Sequence, residues 1–116
     1  MTFSTRISGW GNYSQQEAQL LTPSSCASLL AVVKQETTLI ARGLGRSYGD
    51  SANAAKVLQT SYRDRFIEFN ENTGRLTAEA GISLREILKV IVPRGWFLPV
   101  TPGTSYVTLG GALASD

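Results

Sequence analysis

The sequence predicts an α+β domain with a small mixed or parallel sheet and two main helices. Three observations predict it. Short β-rich runs are spread along the whole chain. Two segments place apolar residues at three-to-four spacing behind hydroxyl-bearing starts. No repeat or low-complexity linker divides the 116 residues, which is the length of one domain.

Residues 1–13 are polar and glycine-containing and are expected to form an irregular arm. Residues 18–21 form a short apolar strand candidate. Thr22-Pro23-Ser24-Ser25 then supplies capping hydroxyls and a proline suited to a first turn. The helix it opens runs to about residue 34, with Ala27, Leu30 and Val33 on one face and Leu29 beside them. Cys26, near Leu29 and Leu30, reads as a small packing residue. Residues 37–41 are β-rich and lead directly into Arg42-Gly43-Leu44-Gly45-Arg46-Ser47-Tyr48-Gly49-Asp50.

Beyond that glycine-rich segment, residues 57–60 are a further strand candidate. Phe66, Glu68 and Asn70 alternate with Ile67, Phe69 and Glu71. A turn at Glu71-Asn72-Thr73-Gly74 follows, and residues 75–80 alternate again with Leu76, Ala78 and Ala80 sharing a face. This is the pattern of a hairpin. Ser83-Leu84-Arg85-Glu86 reads as a capping box opening a helix to about residue 92, with Leu84, Ile87, Leu88 and Ile91 on its apolar face. Pro93 and Gly95 stop it. Residues 96–100 form another apolar, strand-like piece, Thr101-Pro102-Gly103-Thr104 a loop, and residues 108–116 a tail rich in small residues.

Composition narrows the function. Hydrophobic residues make up 42% and charged residues 17%, which is the balance of a globular chain. Eleven Lys and Arg against nine Asp and Glu leave a formal charge of +2, too little to argue for nucleic acid or an acidic membrane surface. There is no histidine, so a Ser/His/Asp triad is excluded, and with one cysteine so is a zinc site of the usual ligand types. The single Cys26 forms no internal disulfide. The longest apolar run, residues 26–33, carries Ser28 and falls far short of the ~20 residues of a membrane span. Residues 1–10 lack the apolar stretch of a signal peptide, and a cytoplasmic location is expected.

Asp64 and Glu68 lie near Arg63 and Arg65 and are expected to form a solvated ion-pair cluster rather than an acid/base pair. Trp10 and Trp96 read as packing residues rather than base-stacking platforms.

Two segments remain that can carry chemistry. In residues 42–50, three glycines let the backbone turn with positive φ and approach a ligand closely. Successive N–H groups in such a turn converge on an anion, with Arg42 and Arg46 adding charge and Ser47 a hydroxyl. The segment lacks the Gly-Lys-Ser/Thr of a Walker A loop, and its third glycine comes one residue late for a dinucleotide-binding Gly-x-Gly-x-x-Gly. A pyrophosphate cradle and a tight surface loop with two solvated arginines both remain open. In the second segment, Gly103 and the Gly110-Gly111 pair bare the backbone and Thr104 offers a hydroxyl. The simpler reading there is a turn followed by a small-residue helix packed closely on a neighbour.

Taken together, Arg42-Gly43-Leu44-Gly45-Arg46-Ser47-Tyr48-Gly49-Asp50 and the later Pro102-Gly103-Thr104-x-x-Val107-Thr108-x-Gly110-Gly111-Ala112 resemble the FAD-linked oxidases of the vanillyl-alcohol oxidase type. Within that group the likeness is to the decaprenyl-phosphoryl-ribose oxidases and aldonolactone oxidases, and it extends from Ser8-Gly9-Trp10-Gly11 to the last residue. The resemblance implies the first lobe of a vanillyl-alcohol-oxidase-type FAD-binding domain, with the whole of residues 1–116 as a single partial domain. It implies that Gly43, Leu44, Gly45, Arg46, Ser47 and Tyr48 wrap the pyrophosphate and that Pro102, Gly103 and Thr104 touch the flavin side. It also implies that Gly110, Gly111, Ala112 and Ser115 line the diphosphate and isoalloxazine, with Asp116 at the edge.

In the family, a histidine-containing segment, a second lobe and a cap domain follow, and none of these is in the chain. FAD is therefore expected to bind non-covalently, and weakly or not at all to this chain alone. The implied activity is oxidation of a CH–OH group in a sugar or lactone-like substrate. The alternative is a catalytically inactive truncated or oligomerising module. Either way, the apolar, glycine-rich tail suggests a piece of something longer or a chain completed by a partner, and a homo-oligomer is expected.

Overall fold

A computed structural model describes residues 2–11, 15–47 and 51–115. Its main sheet has four strands in the order β1-β2-β4-β3: β1 (Thr2–Ile7), β2 (Gln16–Leu21), β3 (Ile40–Arg42) and β4 (Lys56–Gln59). β1 pairs antiparallel with β2, while β2, β4 and β3 run parallel, so the sheet is mixed. Residues 2–7 are thus not an irregular arm. Their side chains are exposed except Ile7, and they are held as an edge strand by ladder bonds to β2, which apolar patterning does not register.

Between β2 and β3 lies α1 (Cys26–Gln35). Ser25 and Ser28 form a reciprocal capping box at its start. The expected apolar face does not pack: no residue of α1 is buried, and Leu30 and Val33 are 54% and 53% exposed. Cys26 is likewise exposed, not a packing residue. The helix is tethered by polar contacts instead. Arg63 donates to the Ser24 carbonyl at 2.6 Å and to the Cys26 Sγ at 3.2 Å, and Lys56 pairs with Glu36 at 2.6 Å.

The hairpin is present as β5 (Phe66–Phe69) and β6 (Leu76–Ala78), but its faces differ from the alternating pattern. Phe66 pairs with Ala78 and Glu68 with Thr77, so a bulge falls between Phe66 and Glu68. The bulge changes the face count, and Phe66 and Phe69 both pack on the same core. α2 (Leu84–Ile91) follows, with the Ser83 hydroxyl accepting from the Glu86 N–H at 3.1 Å. It buries Leu84, Ile87 and Ile91, while Leu88 packs half-buried against them, and it ends in a 3₁₀ turn with Gly95 at φ 82°. Residues 96–100 form no strand. Trp96 instead folds back onto the hairpin turn: its Nε1 donates to the Glu71 carbonyl, its ring meets Phe69 edge-on, and its face occupies the space a side chain at Gly74 would need. The small-residue tail contains a third helix, α3 (Leu109–Ser115).

Two apolar clusters result. Val57, fully buried, centres one with Ile7, Ala18 and Leu20; Ile87, also fully buried, centres the other with Ile82, Leu84 and Ile91. The chain around Arg63 joins them. Gly81 donates to the Arg63 carbonyl at 2.8 Å, and a Cβ at Gly81 would run into the Thr60 and Arg63 carbonyls. The expected charge cluster has a different partner from the one anticipated. Glu79, not Asp64 or Glu68, bridges Arg63 at 2.9 Å and Arg65 at 3.3 Å, and Arg63 and Glu79 are only 15% and 11% exposed. The whole measures 44 × 34 × 20 Å, with a radius of gyration of 15.2 Å. A compact domain of this length has about 13.4 Å, so the chain is a thin slab. No helix among the described residues is long and apolar enough to cross a membrane.

Candidate functional site: two loops beside the parallel strand ends

β3 ends at Arg42, and the chain turns there into the glycine-rich loop before returning as β4. Sites in parallel sheets form at such carboxyl ends, where loops leave the strands. The loop's root is held by the end of β4 and the residue after it. Gln59 Nε2 donates to the Gly43 carbonyl at 2.9 Å and the Thr60 hydroxyl to the Arg42 carbonyl at 3.1 Å. Gly45 adopts φ 71°, a conformation costly for residues with a side chain, and the Arg42 guanidinium fills the space its Cβ would need. The N–H groups of Leu44, Gly45 and Arg46 meet no acceptor among the described residues. That is the donor set an anion cradle requires.

The N-terminal segment closes one side. Trp10 donates its N–H to the Ser47 carbonyl at 2.8 Å, and Arg42 Nη2 donates to the Ser8 carbonyl at 2.8 Å and Nη1 to Asn53 at 3.4 Å. Partial burial pushes the pKa of the Arg42 guanidinium below its usual value, but an arginine remains charged. Ser8, Gly9, Trp10, Gly11, Arg42, Gly45 and Arg46 line an open concavity of about 500 Å³. Two arginines and three glycines line it, and among the described residues no acidic side chain does.

The second loop arrives from the other side. The Gly43 Cα lies against the Thr108 side chain. Arg46 Nε donates to the Tyr106 carbonyl at 3.2 Å, and its guanidinium lies 4.9 Å from the Trp10 ring centroid and 5.9 Å from that of Tyr106. Thr108 is buried, is bridged to Ser83, and accepts from the Gly111 N–H at 3.0 Å. The two glycine-bearing segments are therefore neighbours.

The sequence-named residues are distributed unevenly around this junction. Gly43, Leu44, Gly45, Arg46 and Ser47 lie in the first loop, and of these Gly45 and Arg46 line the concavity; Tyr48 and Asp116 fall outside the described residues. Pro102, Gly103 and Thr104 form an exposed loop; a Cβ at Gly103 has nothing within 4 Å, and Thr104 accepts from the Tyr106 N–H. Gly110 meets protein first: its N–H donates to the Ala80 carbonyl, and a Cβ there would come within 3.1 Å of the Ala80 Cβ. Ala112 packs on the Ile87 cluster, whereas Gly111 and Ser115 are exposed. Six residues of the site were given no binding role from sequence: Ser8, Gly9, Trp10, Gly11, Tyr106 and Thr108. Trp10 sits between glycines and Thr108 inside the second motif, which is the signal that could have found those two.

Comparisons with known proteins place the chain in a family and a fold. The model of a family described as FAD binding domain matches residues 18–116. The chain is 34% identical over 122 residues to the decaprenylphosphoryl-beta-D-ribose oxidase of Mycolicibacterium smegmatis, an alignment covering 99% of this chain and 26% of that protein. Among solved structures, cholesterol oxidase from Brevibacterium sterolicum superposes with a TM-score of 0.80 at 18% identity, over 98% of this chain and 24% of the other. An alkyldihydroxyacetonephosphate synthase superposes at 0.66 and 21% identity, over 83% and 20%. At those identities the structural likeness is one of fold. The chain spans about a quarter of the length of the relative and of the cholesterol oxidase.

Proposed function

The chain belongs to the FAD binding domain family, and from that premise we infer that it forms the diphosphate-gripping lobe of a flavin-dependent oxidoreductase. The cofactor is FAD. The observation that carries the assignment of the site is the junction of Gly43 with Thr108 beside the concavity lined by Arg42, Gly45 and Arg46. The residues present fit the group: side-chain-free backbone, N–H donors that meet no acceptor among the described residues, and two guanidiniums suit a diphosphate.

Gly43, Leu44, Gly45, Arg46, Ser47 and Tyr48 would hold the diphosphate, and Pro102, Gly103 and Thr104 the flavin side. Gly111 and Ser115 would border the cofactor, and Gly110 and Ala112 would set the position of α3 behind them. With no histidine among its residues, this lobe would hold FAD by non-covalent contacts. When bound, the flavin supplies a hydride acceptor for a carbon bearing a hydroxyl. This chain's contribution is grip and positive charge, with a sugar or lactone-like molecule as the substrate class. The lobe would constitute a single partial domain.

A second reading rests on the exposed Leu30, Val33, Phe97, Val100 and Leu113. Such apolar surface favours self-association, as a homo-oligomer or an inactive binding module. Titration of the purified chain with FAD, followed by quenching of flavin fluorescence, tests the first reading. Saturable quenching with a rise in Tm supports it, and no quenching at millimolar FAD refutes it. Light scattering at micromolar concentration tests the second, which a strict monomer refutes.

A further inference from the structure

Trp10 and Tyr106 are large rings left 53% and 47% exposed, so core burial does not place them. Both lie against Arg46. Its guanidinium is 4.9 Å from the Trp10 centroid and 5.9 Å from the Tyr106 centroid, and its Nε is fixed on the Tyr106 carbonyl. Tyr106 is itself held from the α2 side: the Arg85 guanidinium lies 5.2 Å from its ring, and the Arg85 N–H donates to the Ser105 carbonyl. Trp10 is anchored by its N–H on Ser47. Four residues far apart in the chain thus form one stack at the wall of the concavity, with Arg46 at its centre.

Two features make this more than surface packing. Arg46 has no carboxylate partner among the described residues, and neither of its terminal nitrogens makes a hydrogen bond among them. An unpaired arginine on a loop ordinarily samples many rotamers and loses that freedom when it binds an anion. The rings remove the freedom beforehand while leaving the donors unspent. Arg46 also belongs to the same loop as the open N–H groups of Leu44 and Gly45.

We propose that Tyr106 and Trp10 are positioning residues that act through Arg46, pre-orienting its guanidinium toward the diphosphate of the cofactor. The proposal rests on the FAD reading above and adds the device that sets the strength of the grip. It also makes the second segment, through Tyr106, a contributor to anion binding at the first.

The test measures FAD and riboflavin affinity by flavin fluorescence in the full chain. Tyr106→Ala should weaken FAD about two- to fivefold, the size of a lost exposed cation–π contact. Tyr106→Phe, which keeps the ring, should bind FAD like the parent. Riboflavin, which has no phosphate, should be insensitive to Tyr106→Ala. In an Arg46→Met background, Tyr106→Ala should have no further effect. The proposal is overturned if Tyr106→Ala binds FAD as the parent does, or weakens it equally with Met at position 46. A parent chain that binds no FAD overturns the cradle itself, and this inference with it.

Discussion

Gly43 and Thr108, 65 positions apart in the sequence, touch so closely that a Cβ on Gly43 would lie 2.5 Å from the Thr108 Oγ1 and 2.9 Å from its Cγ2. Thr108 cannot easily give way, because its side chain is buried and its hydroxyl caps α3 through Gly111. Gly43→Ala should therefore cost about 1–3 kcal/mol in urea unfolding, the range for overpacking. Thr108→Ala should cost about 1 kcal/mol for the lost hydrogen bond. The double variant should be less destabilised than the sum, because alanine at 108 vacates the space the new methyl needs. Strict additivity would mean that the two loops do not meet in solution.

Gly45 makes a different demand. Its φ of 71° costs a residue with a side chain about 1–2 kcal/mol, and the Arg42 guanidinium, tied to Ser8 and Asn53, stands where its Cβ would go. Gly45→Val should thus push Arg42 off the Ser8 carbonyl and turn the loop's N–H groups away. We expect loss of FAD binding with only a modest fall in Tm. An unchanged FAD titration would remove Gly45 from the cradle.

Glu79 supplies a pH dependence. The Arg65 N–H, 3.0 Å from its carboxylate, is the largest influence, and with the Arg63 and Arg65 guanidiniums it holds the carboxyl below the usual range despite partial burial. The unfolded chain, with a glutamate pKa near ~4.3, then binds more protons than the folded one. Stability from this group is present above the ordinary glutamate pKa and is lost as pH falls through the lower folded value. Glu79→Gln should lower Tm at neutral pH and flatten its decline between neutral pH and the acid limit. A parallel decline in both proteins would show that Glu79 is not the group concerned.

What was legible in the sequence was local. Ser25 and Ser83 announce helices because a cap acts within one turn, and the hairpin turn is signalled by Gly74. Where two elements had to find each other, the pattern failed or misled. Residues 2–7 carry no apolar face and become a strand only because β2 offers an edge. Phe66 and Phe69 share a core through a bulge that alternation does not encode. Arg63 chooses Glu79 over the adjacent Asp64 because the hairpin returns Glu79 to it. At the site, the loop glycines were legible from their spacing. That Thr108, Trp10 and Tyr106 press against that loop became visible only in three dimensions.

Gly103 separates ligand contact from folding more cleanly than any other position in the second loop. It is exposed, its φ is not in the positive region, and a Cβ there would meet nothing within 4 Å. Nothing in the chain itself therefore requires glycine. Gly103→Ala should not lower Tm and should raise it by at most about 4 °C, since a compatible Gly-to-Ala change shifts stability by no more than ~1 kcal/mol and in the favourable direction. If the loop touches the flavin side, the added methyl intrudes on the ligand rather than on the protein, and FAD affinity should fall severalfold while inorganic pyrophosphate binding stays as it was. Equal affinity for FAD in Gly103→Ala and the parent would confine the site to the first loop and its Arg46 wall.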